Sequence, residues 1–432
     1  MDEHFLHYIW KHQKHNAKEL KLTNGQTLKV FNQGFHNYNS GPDFEEARIK
    51  IDEVEWIGCI EIHIKSSDWF SHGHSSNDAY RSVILHVVWS HDRDVMSDGM
   101  NIPTLELKNI VDPALINRYS IHVSHNDRIV CGSQLSQIQS IKYQSMLDRV
   151  LVERLEEKAK EVLKTLKQTN NDWESATYQT FARNFGFSTN KAAFEQLSLR
   201  LPFHVLKKNL QNQFKTEALI FGQAGFLAKA SDSYQKQLRE EFHFLKTKYE
   251  LPDQMNKSEW KFGRMRPASF PSVRLAQFAA LLHQNTNLFS RIKFFEHSKD
   301  LTSSVLTSST LTTSIKINHP SYWQSHYDFG KPRKSASKGP GSSTLNNILI
   351  NSVSPILAAY GKFSGEQHHM DQAVALLEGI KPEANRHTKA WEELGRKPDS
   401  AFESQAQIQL IQSYCEKKRC LDCNIGVYLL SK

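Results

Sequence analysis

The chain has 432 residues, 39% of them hydrophobic and 23% charged, which is ordinary for a soluble globular protein with two or three domains. Its net charge of +8 favours a polyanionic partner such as nucleic acid, although the charge is spread over a long chain. The five cysteines argue against a secreted disulfide framework, and no apolar run approaches the ~20 residues of a membrane helix, so a cytoplasmic protein without membrane contact is expected.

Residues 1–135 read as a mixed α/β domain. Residues 2–15 carry apolar side chains at helical spacing and no apolar signal segment, which predicts a short opening helix. Three strands follow, "QTLKVFNQG", "FEEARIKID" and "VEWIGCIEIHIKSSDW", the last two joined by a tight turn at Asp52 and Glu53. "NDAYRSV" predicts a helical turn, "VILHVVWSHD" a buried strand and "IPTLELK" an edge strand.

The rest of the chain reads as helical, which makes the fold class α+β. Residues 136–325 form a predicted helical domain, opened by the amphipathic segment "SMLDRVLVERLEEKAKEVLKTLKQ". Residues 326–345 are rich in Gly, Pro, Ser and Lys and predict a basic loop. Residues 346–432 predict a last helical section that carries a cysteine cluster.

The strand "CIEIHIKSSDW" alternates strictly. Ile60, Ile62 and Ile64 share one face, and an acid, an imidazole and an amine share the other: Glu61, His63 and Lys65. Asp43 opens the preceding strand, so both carboxylates could lie at one end of the sheet and bind Mg²⁺ or Mn²⁺, with Lys65 stabilising developing charge. The structural alternative is a turn aspartate and a cross-strand ion pair on a solvated face.

This domain resembles the PD-(D/E)XK nuclease superfamily through "GPDF" and the acid of the third strand. The resemblance implies a restriction-endonuclease-like sheet, metal ligation by Asp43 and Glu61, and hydrolysis of phosphodiester bonds in DNA or RNA. Where that pattern has a lysine two residues after the acid, this chain has His63, so His63 or Lys65 would take its role. The alternative is a degenerate, non-catalytic module that binds nucleic acid or protein.

A histidine-rich loop, "SSDWFSHGHSSNDAY", follows the third strand. His72, His74 and Asp78 could bind Zn²⁺ or Mn²⁺ as a zinc hydrolase, or could position groups beside Glu61. The alternative is a polar surface loop. His86, inside an apolar strand, is interpreted as a core histidine.

Three cysteines lie within nine residues of "CEKKRCLDC", namely Cys415, Cys420 and Cys423. Such a group predicts zinc or an iron–sulfur cluster, with Cys131 as the fourth ligand. An arrangement of one plus three cysteines is similar to that of some nucleases of the same superfamily. The alternative is a set of unligated thiols in a terminal helix.

Basic residues in two segments are weaker nucleic-acid candidates. Arg264 and Arg266 precede an apolar helix, and Lys331, Arg333 and Lys334 lie in the basic loop. The alternatives are an interdomain clasp for the first pair and a solvated charge run for the second.

Over its whole length the chain resembles the bacterial domain-of-unknown-function family 2851. The segments that carry this resemblance are "GPDFEEARIKID", "GCIEIHIKSSDW", "YRSVILHVVW", "RMRPASFPSVRLAQ" and "CEKKRCLDCNIG". The family implies no established activity, so function has to be argued from the site.

Overall fold

The computed structural model describes residues 2–37, 39–97, 99–124, 127–294, 315 and 317–432. The chain forms two compact units. Unit 1 comprises Met1–Met146 and Ile411–Lys432, and unit 2 comprises Leu147–Leu410. The C-terminal cysteine segment therefore belongs to the same unit as the N-terminal sheet.

Unit 1 is built on a mixed β-sheet. Its strands are β1 (Leu20–Lys21), β2 (Thr27–Asn32), β3 (Phe35–His36), β4 (Phe44–Ile51), β5 (Val54–Lys65), β6 (Val83–Ser90) and β9 (Thr104–Glu106), while β7 (Met96–Ser97) and β8 (Met100–Asn101) form a separate pair. The order is β1-β2-β4-β5-β6-β9, with β3 also beside β4. Strands β2, β4 and β5 are antiparallel neighbours, whereas β6 runs parallel to β5 and β9 parallel to β6. This sheet, followed by helices, confirms the predicted α+β class.

One face of the sheet is the apolar core of unit 1. Helix α1 (Glu3–Lys11) begins at Asp2, whose carboxylate accepts the Phe5 N–H at 2.9 Å, as helix N-caps commonly do. Phe5 and the rest of the apolar face of α1 belong to the same buried cluster as Ile60 and Ile62 of β5. The alternation from Ile60 to Lys65 therefore directs the three isoleucines of this stretch to the core and its polar side chains to the opposite face.

That opposite face carries the polar residues of β5 and β6. In the parallel register Glu61 lies opposite His86, and His63 lies opposite Val88. Helix α2 (Asp68–Ser71) and two short 3₁₀ turns, His74–Ser76 and Asp78–Tyr80, connect the two strands. Unit 1 continues with α3 (Pro113–Ser124) and ends with the helix Asn424–Leu430.

Unit 2 is largely helical. Its helices include α4 (Ser140–Gln168, which starts in unit 1), α5 (Trp173–Phe185), α6 (Lys191–Arg200), α7 (Phe203–Lys207), α8 (Gln213–Gln223), α9 (Ser233–Lys248), α10 (Pro271–Gln284), α11 (Leu288–Lys293), α12 (Ser321–Ser325), α13 (Ser342–Ile348), α14 (Ser354–Ser364), α15 (Gln367–Gly379), α16 (Arg386–Glu393) and α17 (Ala401–Leu410). A π-helical segment, Leu349–Val353, joins α13 to α14. Two short strands, β10 (His326–Asp328) and β11 (Lys331–Pro332), pair within the predicted basic loop. None of the described helices has the length and apolar character needed to cross a bilayer.

Candidate metal centre

Two carboxylates are joined where β4 begins beside the middle of β5. Phe44 pairs with Ile60 in the antiparallel register, so the preceding Asp43 lies opposite Glu61. The Asp43 N–H donates to Glu61 Oε2 at 3.1 Å, and the Ile62 N–H donates to Asp43 Oδ2 at 2.9 Å. These reciprocal bonds hold the two side chains predicted to bind a metal ion at one place on the sheet.

Two histidines lie beside the Glu61 carboxylate, and a third contacts one of them. His74 Nε2 lies 3.1 Å from Glu61 Oε1, and His63 Nε2 lies 3.6 Å from the same oxygen. His72 Nδ1 lies 3.1 Å from His63 Nε2. The ligand atoms of His63, His72 and His74 all lie within 4.8 Å of one another. The loop histidines and the strand residues therefore form a single cluster.

Gly73 allows both loop histidines to reach this cluster. Its φ of +73° lies in the left-handed region, which a side chain with a Cβ rarely adopts. His72 follows the short helix α2 and His74 opens the next 3₁₀ turn, so the glycine reverses the chain between them. His74 is then fixed by its ring stack on Tyr80, with a centroid distance of 3.8 Å.

The donor set fits a transition-metal ion. Donor atoms about 2.0–2.1 Å from a tetrahedral ion are separated by about 3.3 Å, close to the contacts of 3.1–3.6 Å around Glu61 and His63. His74 Nε2 is buried and makes no hydrogen bond within the described part of the chain, although it faces Glu61. A buried lone pair directed at a carboxylate is what a metal ion between them would satisfy.

Two histidines outside the predicted set extend the site. His86 is completely buried, and its Nε2 lies 2.8 Å from His63 Nδ1. His7, on α1, places Nε2 3.3 Å from Asp43 Oδ2. Ligating histidines usually donate their second ring N–H to a neighbouring acceptor, so a proton on His63 Nδ1 donated to His86 leaves His63 Nε2 available for a metal ion. The sequence favours a core role for His86, because it lies in an apolar strand, and nothing local indicates His7.

The electrostatics of the cluster call for a cation. Burial, followed by the nearby Asp43, raises the pKa of the Glu61 carboxyl to about 9. Burial lowers the pKa of His63 far below its ordinary value, and that of His86 to about 3, with neighbouring histidines adding to the effect. These two imidazoles are therefore neutral, and Glu61 stays protonated near neutral pH unless a positive charge lies beside it; a divalent ion would supply that charge.

A family model described as a protein of unknown function (DUF2851) matches residues 3–386. The chain belongs to the DUF2851 family. The matched range contains the two carboxylates and every histidine of the cluster, whereas the three C-terminal cysteines of this DUF2851 chain lie beyond it. No curated protein and no solved structure matches the chain.

Two predicted residues of the DUF2851 site lie apart from the cluster. Lys65 is on the same face of β5 as Glu61 but is exposed at the end of the strand, where its N–H donates to Asp68 Oδ2 at 2.9 Å. Asp78 is also exposed and forms an ion pair with Arg81 at 3.0 Å. The carboxylate that lies beside His74 is thus that of Glu61 rather than that of Asp78.

The four cysteines predicted to form a second site in this DUF2851 protein all belong to unit 1 and are thiols. Burial, and after it the nearby Cys423 and Cys420, raises the pKa of the Cys131 thiol to about 12. The pKa of Cys415 is also raised, by burial and then by the other three cysteines. The four are therefore neighbours, but among the described residues they do not form a set with all ligand atoms within 4.8 Å, as the histidines do.

The basic residues predicted to bind nucleic acid lie in two segments of unit 2 in the DUF2851 chain. Arg264 and Arg266 are exposed in the loop before α10. In the β10–β11 hairpin, Lys331 forms an ion pair with Asp328 at 3.3 Å, and Arg333 Nε donates to the His326 carbonyl at 2.8 Å. Lys334 is exposed. The hairpin thus uses part of the predicted basic loop for its own structure.

Proposed function

We propose that unit 1 is a metal-dependent phosphodiesterase that acts on nucleic acid. The observation that carries the proposal is the cluster around Glu61: Glu61 Oε1 lies 3.1 Å from His74 Nε2 and 3.6 Å from His63 Nε2, and the ligand atoms of His63, His72 and His74 lie within 4.8 Å of one another. Glu61, His63, His72 and His74 would hold the metal ion, with Asp43 beside them. The same cluster would also serve the alternative in which the protein is a zinc hydrolase.

The donor types favour a particular class of metal ion. Imidazole nitrogens suit Zn²⁺, Mn²⁺ and Fe²⁺, whereas Mg²⁺ prefers an all-oxygen shell. Three histidines and one glutamate therefore favour Mn²⁺ or Zn²⁺ over Mg²⁺ at this centre. A site made of Asp43 and Glu61 alone would suit Mg²⁺ as well as Mn²⁺. The histidines therefore reduce the set of expected metal ions.

The choice of a nucleic-acid substrate is supported by topology and charge. An opening helix, three antiparallel strands, a helical connection and a parallel strand occur in the order shared by the PD-(D/E)XK superfamily. Asp43 precedes the second of these strands and Glu61 lies within the third, as that resemblance implies. The net charge of +8 suits a polyanionic substrate.

The residues around the ion have separable chemical roles. A bound divalent ion would lower the pKa of water and neutralise charge on the phosphate. Hydrolysis forms a bond from the water oxygen to phosphorus and breaks one phosphorus–oxygen ester bond, so one proton must leave the water and one must reach the leaving oxygen. Solvent water can take up the first proton and supply the second, and exposed Lys65 can contact the substrate backbone.

The test combines metal analysis with cleavage assays on the full chain. Purified protein would be analysed for metal content and incubated with labelled single- and double-stranded DNA and RNA, with Mn²⁺, Zn²⁺ or Mg²⁺ added. Glu61→Gln and His72→Ala should each lose bound metal and cleavage. Glu55→Gln is the matched control, because Glu55 is exposed on the same strand and pairs with Arg48 at 2.8 Å.

The outcomes separate the alternatives. Cleavage lost in Glu61→Gln and retained in Glu55→Gln would support the proposal. Stoichiometric metal without cleavage of any nucleic acid would reject the phosphodiesterase and leave a metal centre of another hydrolase. Nucleic-acid binding that falls with salt but is unchanged in Glu61→Gln, without metal or cleavage, would indicate the non-catalytic module instead.

A further inference from the structure

Unit 2 contains a polar cavity of about 430 Å³ that the proposed hydrolysis does not use. Its walls come from helices α4, α5 and α6 and from the π-helical segment Leu349–Val353. This volume is within the range of about 300–1,000 Å³ that small-molecule sites commonly have. The cavity is therefore large enough for a ligand rather than only for water.

Lys158 projects from α4 into this cavity. Its Nζ donates to Asn351 Oδ1 at 3.0 Å and to Gln405 Oε1 at 3.3 Å, both uncharged acceptors. Burial, followed by the nearby positive charge of Arg154, lowers the pKa of Lys158 well below its ordinary value. The described part of the chain gives Lys158 Nζ no ion-pair partner, although the charge of Glu383 partly opposes that of Arg154, so an anionic ligand beside Nζ would favour its charged form.

The π-helical segment helps to shape the cavity around Lys158. It contains Asn351, whose side chain accepts the Lys158 bond and whose carbonyl accepts Asn184 Nδ2 at 2.5 Å. Asn184 Nδ2 also donates to Ser352 Oγ at 3.1 Å. Short π-helical turns are rare and occur frequently at functional sites. Here Lys158 and Asn184 both bond to the π-helical segment, so Asn351, the acceptor of Lys158, is held in place without a ligand.

The charges that line the cavity do not cancel. The cavity contains two acidic side chains, and both contact Arg183. Arg183 Nη1 lies 3.0 Å from Glu161 Oε2, and Arg183 Nε lies 4.0 Å from Glu195 Oε1. Lys191 is a further cation, exposed at the start of α6, and Lys158 becomes one when an anion beside it favours its protonated form. Two ammonium groups match the two negative charges of a phosphate monoester, whereas a carboxylate would match only one.

We propose that this cavity binds a small phosphate-bearing molecule, with the phosphate between Lys158 and Lys191. The volume that remains would hold an uncharged portion beside polar side chains such as Thr165 and Gln179. This inference does not depend on the metal centre of unit 1, so either proposal can fail without the other.

Calorimetric titration of the full chain tests the inference with three probes: adenosine monophosphate, inorganic phosphate and adenosine. Adenosine monophosphate should bind and adenosine should not. Lys158→Met and Lys191→Met should each weaken binding about tenfold or more, since each removes a charged hydrogen-bond donor. Lys160→Met is the matched control, because Lys160 is an exposed lysine of α4 that does not line the cavity; its affinity should stay within about twofold of the unmodified chain.

The results distinguish the sources of phosphate and the ways in which the inference can fail. Equal affinity for inorganic phosphate and the nucleotide would assign the site to free phosphate, and tighter nucleotide binding would assign it to a phosphate ester. Because Lys158 is half-buried and bonded to Asn351 and Gln405, the fold of Lys158→Met is checked by circular dichroism, and Lys191→Met supplies an independent reading. No phosphate binding by the unmodified chain, or affinity unchanged in Lys191→Met and in folded Lys158→Met, would overturn the inference.

Discussion

Replacing His86 by leucine tests the metal centre without touching a proposed ligand. His86 is fully buried, and its Nε2 lies 2.8 Å from His63 Nδ1. Leucine fills a comparable volume but removes the ring nitrogen, so a His63 that binds metal through Nε2 and carries its proton on Nδ1 would leave that buried N–H without a partner. An unsatisfied buried donor costs about 1–3 kcal/mol, and removing the partner of a ligating histidine usually lowers metal affinity about 10- to 100-fold. We expect His86→Leu to lower affinity for Zn²⁺ or Mn²⁺ by that factor.

The assay is competition between the protein and a chromophoric chelator, with metal content measured after dialysis. His86→Gln is the informative partner variant, because its side-chain oxygen can accept the same bond from His63 Nδ1. It should recover most of the affinity lost in His86→Leu. Circular dichroism of each metal-free protein separates a local loss of affinity from general unfolding.

Unchanged metal affinity in His86→Leu would contradict this prediction. If folded His86→Leu binds metal as tightly as the unmodified chain, then the contact between His63 and His86 does not orient a ligand. The imidazole pair would then be a buried hydrogen bond of the core, and His63 would not belong to the metal centre.

Other residues of both units give further expected outcomes. Burial raises the pKa of Glu217 from 4.5 to about 7. The folded chain then binds this proton more tightly than the unfolded chain, so Glu217 contributes stability below pH 4.5. We expect the free energy of unfolding to fall by about 3 kcal/mol as the pH rises through 7. Chemical denaturation of Glu217→Gln should show no such fall. If the stability of Glu217→Gln and of the unmodified chain changed with pH in the same way, the raised pKa of Glu217 would be contradicted. Asp78→Asn should leave metal content unchanged, since Asp78 pairs with Arg81 at the surface; lost metal would show that it is a ligand. Anaerobically purified protein should contain iron with sulfide, or zinc, beyond the histidine-bound ion, and Cys420→Ser should lose it; equal metal content in both would reject a cysteine site.

The sequence predicted the parts of unit 1 that follow from local pattern. The alternation of β5 placed Ile60 and Ile62 in the core, and the tight turn between β4 and β5 correctly brought Asp43 beside Glu61. The pattern could not show which loop residues return to the strand, because that depends on Gly73 and on the stack of His74 against Tyr80.

Residues contributed by distant elements were the hardest to predict. His86 was predicted to be a core histidine because it lies in an apolar strand, and its burial is confirmed. Its contact with His63 could not be predicted, because that contact depends on the parallel pairing of β6 with β5. The contact of His7 with Asp43 depends on where α1 lies on the sheet, and the amphipathic spacing of α1 does not determine that position. In both cases the missing information was the register between elements, and single-sequence periodicity does not contain it.

His63 occupies the position at which the nuclease-like pattern has a lysine, and its surroundings decide what it can do there. A lysine would bring a positive charge close to Glu61, whereas the lowered pKa of buried His63 keeps its ring neutral. A neutral ring cannot stabilise negative charge that develops on phosphate, but its lone pair can bind a metal ion. In the proposed centre the positive charge would therefore come from the ion rather than from a side chain. Such a centre would need further ligands to hold the ion, a role that His72 and His74 would fill beside His63 and Glu61.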